Sequence, residues 1–207
     1  MESNWAAEHL LVIRTLMERS AVYRRALAPV MTFCGVVGIV AGVVGWLVNI
    51  DSDRGFVLFW SGVASVSLLG SLLLVRRQAL KDAEPFWSPP TRRVAQAMLP
   101  PFTIGMFVGV VVVSGFRTDD AFVRTVLAMV WAWLYGCALH SAGFFISRGI
   151  RILGWVYCGI GCALLASLFC MEESHMQPHL LMAGLFGGLH LVCGIYLYFT
   201  EKRGNET

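Results

Sequence analysis

The sequence predicts an all-α membrane protein: a bundle of six transmembrane helices preceded by an N-terminal amphipathic interfacial helix, with both termini in the cytoplasm. Three observations lead there. Of 207 residues, 57% are hydrophobic and only 14% charged, too little polar surface to wrap a water-facing globule. The apolar residues gather into six runs, each near the roughly 20 residues that a helix needs to cross the hydrocarbon core of a bilayer. Thirteen of the 16 Lys and Arg residues fall on one side of the alternating connections between those runs. Helices are the only regular structure that such runs can form in lipid, because their backbone groups must be satisfied within the segment. The short alternating strands of a membrane barrel are absent.

Residues 1–27 precede the first run and read as a cytoplasmic amphipathic helix. Trp5, Leu10, Val12, Ile13, Leu16, Met17, Tyr23 and Leu27 share one side of a helical wheel over 5–27, while Glu8, Arg14, Thr15, Glu18, Arg19 and Arg25 fall on the other, with Arg24, Leu11 and Val22 as exceptions. A basic amphipathic helix beside a span lies on an anionic leaflet or docks on a partner, and both have the same signature. The first strongly apolar run is too long for a cleavable signal, so it is expected to persist as a span. The transmembrane domain covers 28–199, with spans at about 28–49, 55–75, 96–116, 121–146, 150–170 and 178–199, and 200–207 form a cytoplasmic tail.

Orientation follows from the basic residues. Arg14, Arg19, Arg24 and Arg25 precede the first span; Arg76, Arg77, Lys81, Arg92 and Arg93 join the second to the third. Arg148 and Arg151 stand between the fourth and fifth, and Lys202 and Arg203 lie in the tail. The other connections hold only Arg54, Arg117 and Arg124, the last expected to snorkel outward. The chain is therefore expected in a plasma membrane with both ends inside. Nucleic acid is disfavoured as a partner, since each basic cluster flanks an apolar run.

The connection 76–95 is the longest. Pro85, Pro89 and Pro90 interrupt any continuous helix there, and Phe86 and Trp87 can enter the interface. With residues 1–27 it forms the expected surface for a membrane or cytoplasmic protein partner. Pro100 and Pro101 sit inside the third run, where they mark a helix start or, alternatively, the break of a transport site.

Three segments carry a resemblance: Glu84–Pro85–Phe86–Trp87–Ser88–Pro89–Pro90–Thr91–Arg92–Arg93, Ala138–Leu139–His140–Ser141–Ala142–Gly143–Phe144–Phe145 and Tyr196–Leu197–Tyr198–Phe199–Thr200–Glu201–Lys202. They resemble segments of an uncharacterised family of bacterial six-span integral membrane proteins. The resemblance implies a bacterial inner-membrane setting and carries over no activity and no functional residue.

Chemistry-bearing residues at mid-depth are few: His140 in the fourth span and His190 in the sixth. Each lies in a row of small residues, Ala132, Gly136, His140 and Gly143 in one case and Ala183, Gly187, His190 and Gly194 in the other. Such rows let a neighbouring helix or a flat ligand come close. Interhelical hydrogen bonding is the ordinary role of such imidazoles, and binding of haem, a quinone or a metal is the sharper one, with His140 and His190 as the cofactor-binding candidates. No Asp, Glu or Lys sits at mid-depth, which weakens a proton- or sodium-coupled pump. The outer connection with Glu172, Glu173, His175 and His179 has ligand-type side chains for a divalent cation, though a solvated acidic loop is its simpler reading.

The six cysteines show no CxxC spacing and read as small apolar residues. Gly35, Gly38, Gly42 and Gly45 make a bare stripe on the first helix, a face for tight packing within the chain or for a homodimer. Gly105–Gly109 and Gly184–Gly188 are further GxxxG pairs. With no catalytic motif in view, the expected function is a non-enzymatic accessory or regulatory membrane subunit; the alternative is a small-solute transporter or channel, and a haem- or quinone-binding protein comes third.

Overall fold

A computed structural model of the chain describes residues 26–83, 85–115, 120–168 and 177–204. Nearly all of the described residues are helical, and none is in a strand. The helices are α1 (Ala26–Leu47), α2 (Asp53–Lys81), α3 (Pro89–Gly115), α4 (Ala121–Gly143), α5 (Arg148–Ser167) and a composite α6. The last runs from Pro178–Met182 through a π-helical turn, Ala183–Gly188, into Leu189–Gly204. Among the described residues, six helices are long and apolar enough to cross a membrane, as a multi-pass protein requires. The interfacial helix expected over 5–27 falls almost wholly outside the described residues.

Local chemistry sets the helix ends. Asn49 takes a left-handed conformation, φ 54°, just past α1, a place that tolerates Asn. Ser52 then caps α2, its Oγ accepting from the Gly55 N–H at 3.0 Å. Asp120 caps α4 through Oδ1 and the Phe122 N–H at 2.9 Å, and Ser147 caps α5. Pro178 stands in the first turn of α6, where its missing N–H costs nothing.

Several boundaries differ from the sequence expectation. The connection over 76–95 is mostly helical: α2 continues to Lys81, and α3 already begins at Pro89. Arg76, Arg77, Gln78 and Lys81 are good helix formers, so α2 need not stop where its apolar run does. Pro89 and Pro90 open α3 instead of breaking it, behind a Ser88–Thr91 hydroxyl pair at 3.0 Å whose Thr91 also bonds the Phe86 carbonyl at 2.9 Å. Pro100 and Pro101 therefore lie inside a continuous helix and are not its start. At the other end of the expectation, α4 stops at Gly143 and leaves Phe144, Phe145 and Ile146 to make the turn into α5.

The core has two layers. One joins Phe56, Val57 and Trp60 of α2 with Ala41, Val112, Leu127, Ala128 and Met182 at the end of the bundle where α2 and α4 begin. The other joins Leu27, Met31, Leu139, Ile150, Leu153, Tyr157 and Leu185 toward the end where α5 begins. Between them the helices meet along two glycine seams. On α1, a Cβ at Gly35 would stand 2.6 Å from the Leu191 backbone nitrogen, and one at Gly38 would stand 2.8 Å from the Gly187 Cα. Gly42 faces Ala183 and Gly45 faces the His179 ring. The stripe that offered a homodimer seam is thus occupied within the chain by α6.

The second seam joins α4 to α5. A Cβ at Gly136 would meet the Cys158 backbone nitrogen at 2.8 Å, and one at Gly154 would meet the His140 backbone nitrogen at 2.5 Å. By contrast, Gly62 and Gly184 have nothing within 4 Å. Gly136→Leu and Gly38→Leu are therefore expected to lower the melting temperature of the detergent-solubilised monomer, each costing at least the ~1–3 kcal/mol of overpacking. Gly184→Leu should leave it within experimental scatter. Fluorescence-detected size exclusion after heating reads all three.

Candidate functional site

His190 is 4% exposed and stands just past the π-turn of α6. Its ring is held at both nitrogens: Nε2 lies 2.7 Å from the Tyr135 hydroxyl of α4, and Nδ1 lies 2.9 Å from the Tyr157 hydroxyl of α5. The Tyr157 hydroxyl donates its one proton to the Leu185 carbonyl at 2.7 Å. It must then accept at His190, which makes Nδ1 the protonated nitrogen and Nε2 the acceptor for Tyr135. The result is one directed chain, Tyr135 O–H to Nε2, Nδ1–H to the Tyr157 oxygen, and Tyr157 O–H to Leu185. The π-turn explains the last link: widening the helix at Ala183–Gly188 alters the i→i−4 bonding and lets a side chain take the carbonyl. Phe186 closes the site from the same turn, with ring centroids 5.4 Å from Tyr135 and 5.9 Å from Tyr157.

His140 stands elsewhere. Its row of small residues packs on α5, with Gly136 against Cys158 and Gly143 against Arg151, whereas the His190 row packs on α1, with Gly187 against Ile39 and Gly194 against Thr32. No hydrogen bond or ring contact joins the two imidazoles among the described residues. Half-buried, His140 meets Phe144 edge-on at 5.3 Å and Trp155 at 5.2 Å, and its Nδ1 is buried without a hydrogen-bond partner. The two cofactor-binding candidates therefore do not form one site. For haem iron, His190 has no idle lone pair, because Nε2 already receives the Tyr135 proton.

A third histidine comes into view that the sequence pointed elsewhere. His179 is 3% exposed, not part of a solvated loop. Its Nδ1 accepts from the Trp60 indole N–H at 3.2 Å, and its Nε2–H donates to the Ile50 carbonyl at 3.1 Å. Trp60 stacks on the ring at 6.2 Å, while Phe56 and Phe59 meet it edge-on at 5.0 and 5.7 Å. A cation would find neither nitrogen available, and the other members of that cation set, Glu172, Glu173 and His175, lie outside the described residues. The usable signal was Pro178: a first-turn proline puts the next residue inside the helix, opposite the side-chain-free Gly45.

Close by, Arg124 does not snorkel. It is buried and pairs with Asp53 at 3.3 Å, the side chains 6% and 3% exposed. Such a pair is a weak source of net stability, but removing one partner strands a buried charge. Among the thiols, Cys137 and Cys158 bring their sulfurs to 3.9 Å across the α4–α5 seam, and no described cysteine is in a disulfide.

Fold and site together define an all-α multi-pass membrane protein whose buried imidazoles bond across helices. The chain matches no family model, no curated protein and no solved structure. Tyr157→Phe removes the hydroxyl that links His190 to Leu185. It is expected to destabilise the bundle by about 1–2 kcal/mol, the upper range for interhelical bonds in membranes. His190→Phe and the double variant should then be non-additive, since all three touch one chain of bonds. Unfolding in mixed micelles of the two single variants and the pair measures the coupling.

Proposed function

We propose that the chain is a non-enzymatic accessory subunit of the bacterial inner membrane, with both termini in the cytoplasm, that holds a partner through its exposed α2 and its basic cytoplasmic face. The orientation rests on the thirteen basic residues gathered at one end. The subunit reading rests on one observation. Beyond Trp60, α2 buries only Ala79, although it runs on for about six more turns.

The open side has a definite composition. Leu58 and Leu69 are both 61% exposed, and between them on the same face stand Gly62, with nothing within 4 Å, and the exposed Ser65. The Ser65 hydroxyl bonds its own backbone at Ser61, 2.8 Å away. Small residues framed by leucines suit another membrane helix, because they admit close backbone approach. Arg76 and Arg77 in the last turns of α2, with Arg92 and Arg93 in the first turns of α3, lie at the end of the same helix and extend the face into the cytoplasm. Within the bundle, the buried imidazoles of His179 and His190 serve packing, which leaves the chain's outside to carry its function.

Tagged chain drawn from native membranes into polymer-bounded discs, without detergent, gives the test. The expected particle contains a second membrane protein, and Gly62→Leu abolishes that association while leaving the melting temperature unchanged. A chain that emerges alone, or a complex indifferent to Gly62→Leu and to reversal of Arg92 and Arg93, would sink the reading.

A further inference from the structure

Halfway along the α4–α5 seam the two helices bring a pair of thiols together. Cys137 Sγ lies 3.9 Å from Cys158 Sγ, and neither residue belongs to a core layer. They stand 21 residues apart in the chain, so no CxxC spacing announces them. A disulfide needs its sulfurs about 2.05 Å apart and its two backbones close together. The seam already supplies the second requirement, since a Cβ at Gly136, next to Cys137, would meet the Cys158 backbone nitrogen at 2.8 Å. Side-chain rotation is left to supply the first.

We propose that Cys137 and Cys158 form a redox site, a dithiol that a quinone dissolved in the bilayer oxidises to a disulfide between α4 and α5. The two S–H bonds break and one S–S bond forms. Both electrons and both protons pass to the quinone, which leaves as the quinol.

Three further observations name the oxidant's class. The first is access. Cys137 and Cys158 are half-buried, not sealed. Gly159, beside Cys158, is exposed and a Cβ there would meet nothing within 4 Å, while Cys162, one turn on, is exposed as well. The pair therefore opens to the outside of the bundle. The second is depth. Cys158 stands ten residues past Arg148, at the start of α5, which is about 15 Å at the helical rise. That is near the middle of a hydrocarbon core ~30 Å thick, out of reach of oxidants confined to water. An acceptor that took electrons alone would strand two protons in hydrocarbon, where charge is costly. A quinone takes both. The third is the setting of the sulfurs. Trp133 lies one turn before Cys137 on α4, and Trp155 lies about one turn before Cys158 on α5, 43% and 66% exposed. Because the helices are antiparallel, these rings flank the thiols from opposite ends, and their apolar faces suit a planar ring lying between them.

The experiment places the full chain, reduced and freed of reductant, in anaerobic liposomes of phosphatidylethanolamine and phosphatidylglycerol. The probe is a fully substituted benzoquinone, which leaves no open ring carbon for a thiol to add to. Quinol equimolar with the chain is expected by absorbance, with the intact chain lighter by two hydrogens and a non-reducing peptide map joining Cys137 to Cys158. Cys137→Ala and Cys158→Ala should each reduce the quinol to background, and Cys162→Ala should leave it unchanged. Ferricyanide, held in the water outside, should leave both thiols reduced over the same time. A wild-type chain that keeps its thiols, a link that joins any other pair of cysteines, or oxidation by ferricyanide as fast as by the quinone overturns the proposal. All three of these are read on the wild type, so a variant that fails to fold does not blunt the test.

Discussion

Where Gly136 meets the backbone of α5 and Gly38 meets that of α6, no side chain separates the helices, and the placement of the buried polar groups follows from those two contacts. In lipid there is no hydrophobic force between apolar helices, so association relies on dispersion at close range and on interhelical hydrogen bonds. A glycine seam supplies the first and makes the second geometrically possible. Bringing α5 onto α4 sets Tyr157 beside Tyr135, their ring centroids 5.1 Å apart. Bringing α6 onto α1 holds the π-turn where His190 can reach both hydroxyls. The bulkier residue that would fit best by hydrophobicity at either seam would push these bonds out of range.

The same constraint explains why the polar interior is fully engaged at its two histidine centres. An unsatisfied imidazole in hydrocarbon is expensive, and each buried ring is answered by partners on other helices. His179 draws on α2 and on the turn after α1; His190 draws on α4 and α5. These bonds select register as much as they stabilise, because sliding a helix by one residue loses both partners of a ring at once. The π-turn fits this view. It adjusts the phase of α6 so that Gly38 can face Gly187 while His190 still points at the tyrosines.

Much of this architecture was legible in the sequence because membrane spans obey a strong physical rule. Length and apolarity alone marked six helices, and the described residues form six long enough to cross. The glycine rows also declared themselves as contact faces, though not whose contacts they were: the α1 stripe is satisfied by α6, a pairing distant in sequence that no local pattern encodes. His190 was visible as a buried polar residue, but Tyr135 and Tyr157 were not singled out, since a tyrosine in an apolar run looks like any aromatic until its hydroxyl is placed. Arg124 was misplaced for a related reason. A lone arginine near a span end ordinarily snorkels, and only the arrival of Asp53 from another helix gives it cause to turn inward. The helical extensions of α2 and α3 were hidden by reading the end of an apolar run as the end of a helix, although a helix is free to leave the hydrocarbon and continue.

The most direct measurement is nitrogen-15 NMR of the histidine side chains in the chain reconstituted in lipid, with His190 assigned by its substitution. The predicted result is a neutral ring protonated at Nδ1, with both nitrogens hydrogen-bonded, and a Tyr157→Phe variant in which the Nδ1 signal moves while the fold is retained. A ring protonated at Nε2, or one carrying a free lone pair, would contradict it. Either would mean that the seams do not bring α4, α5 and α6 together around His190 as described.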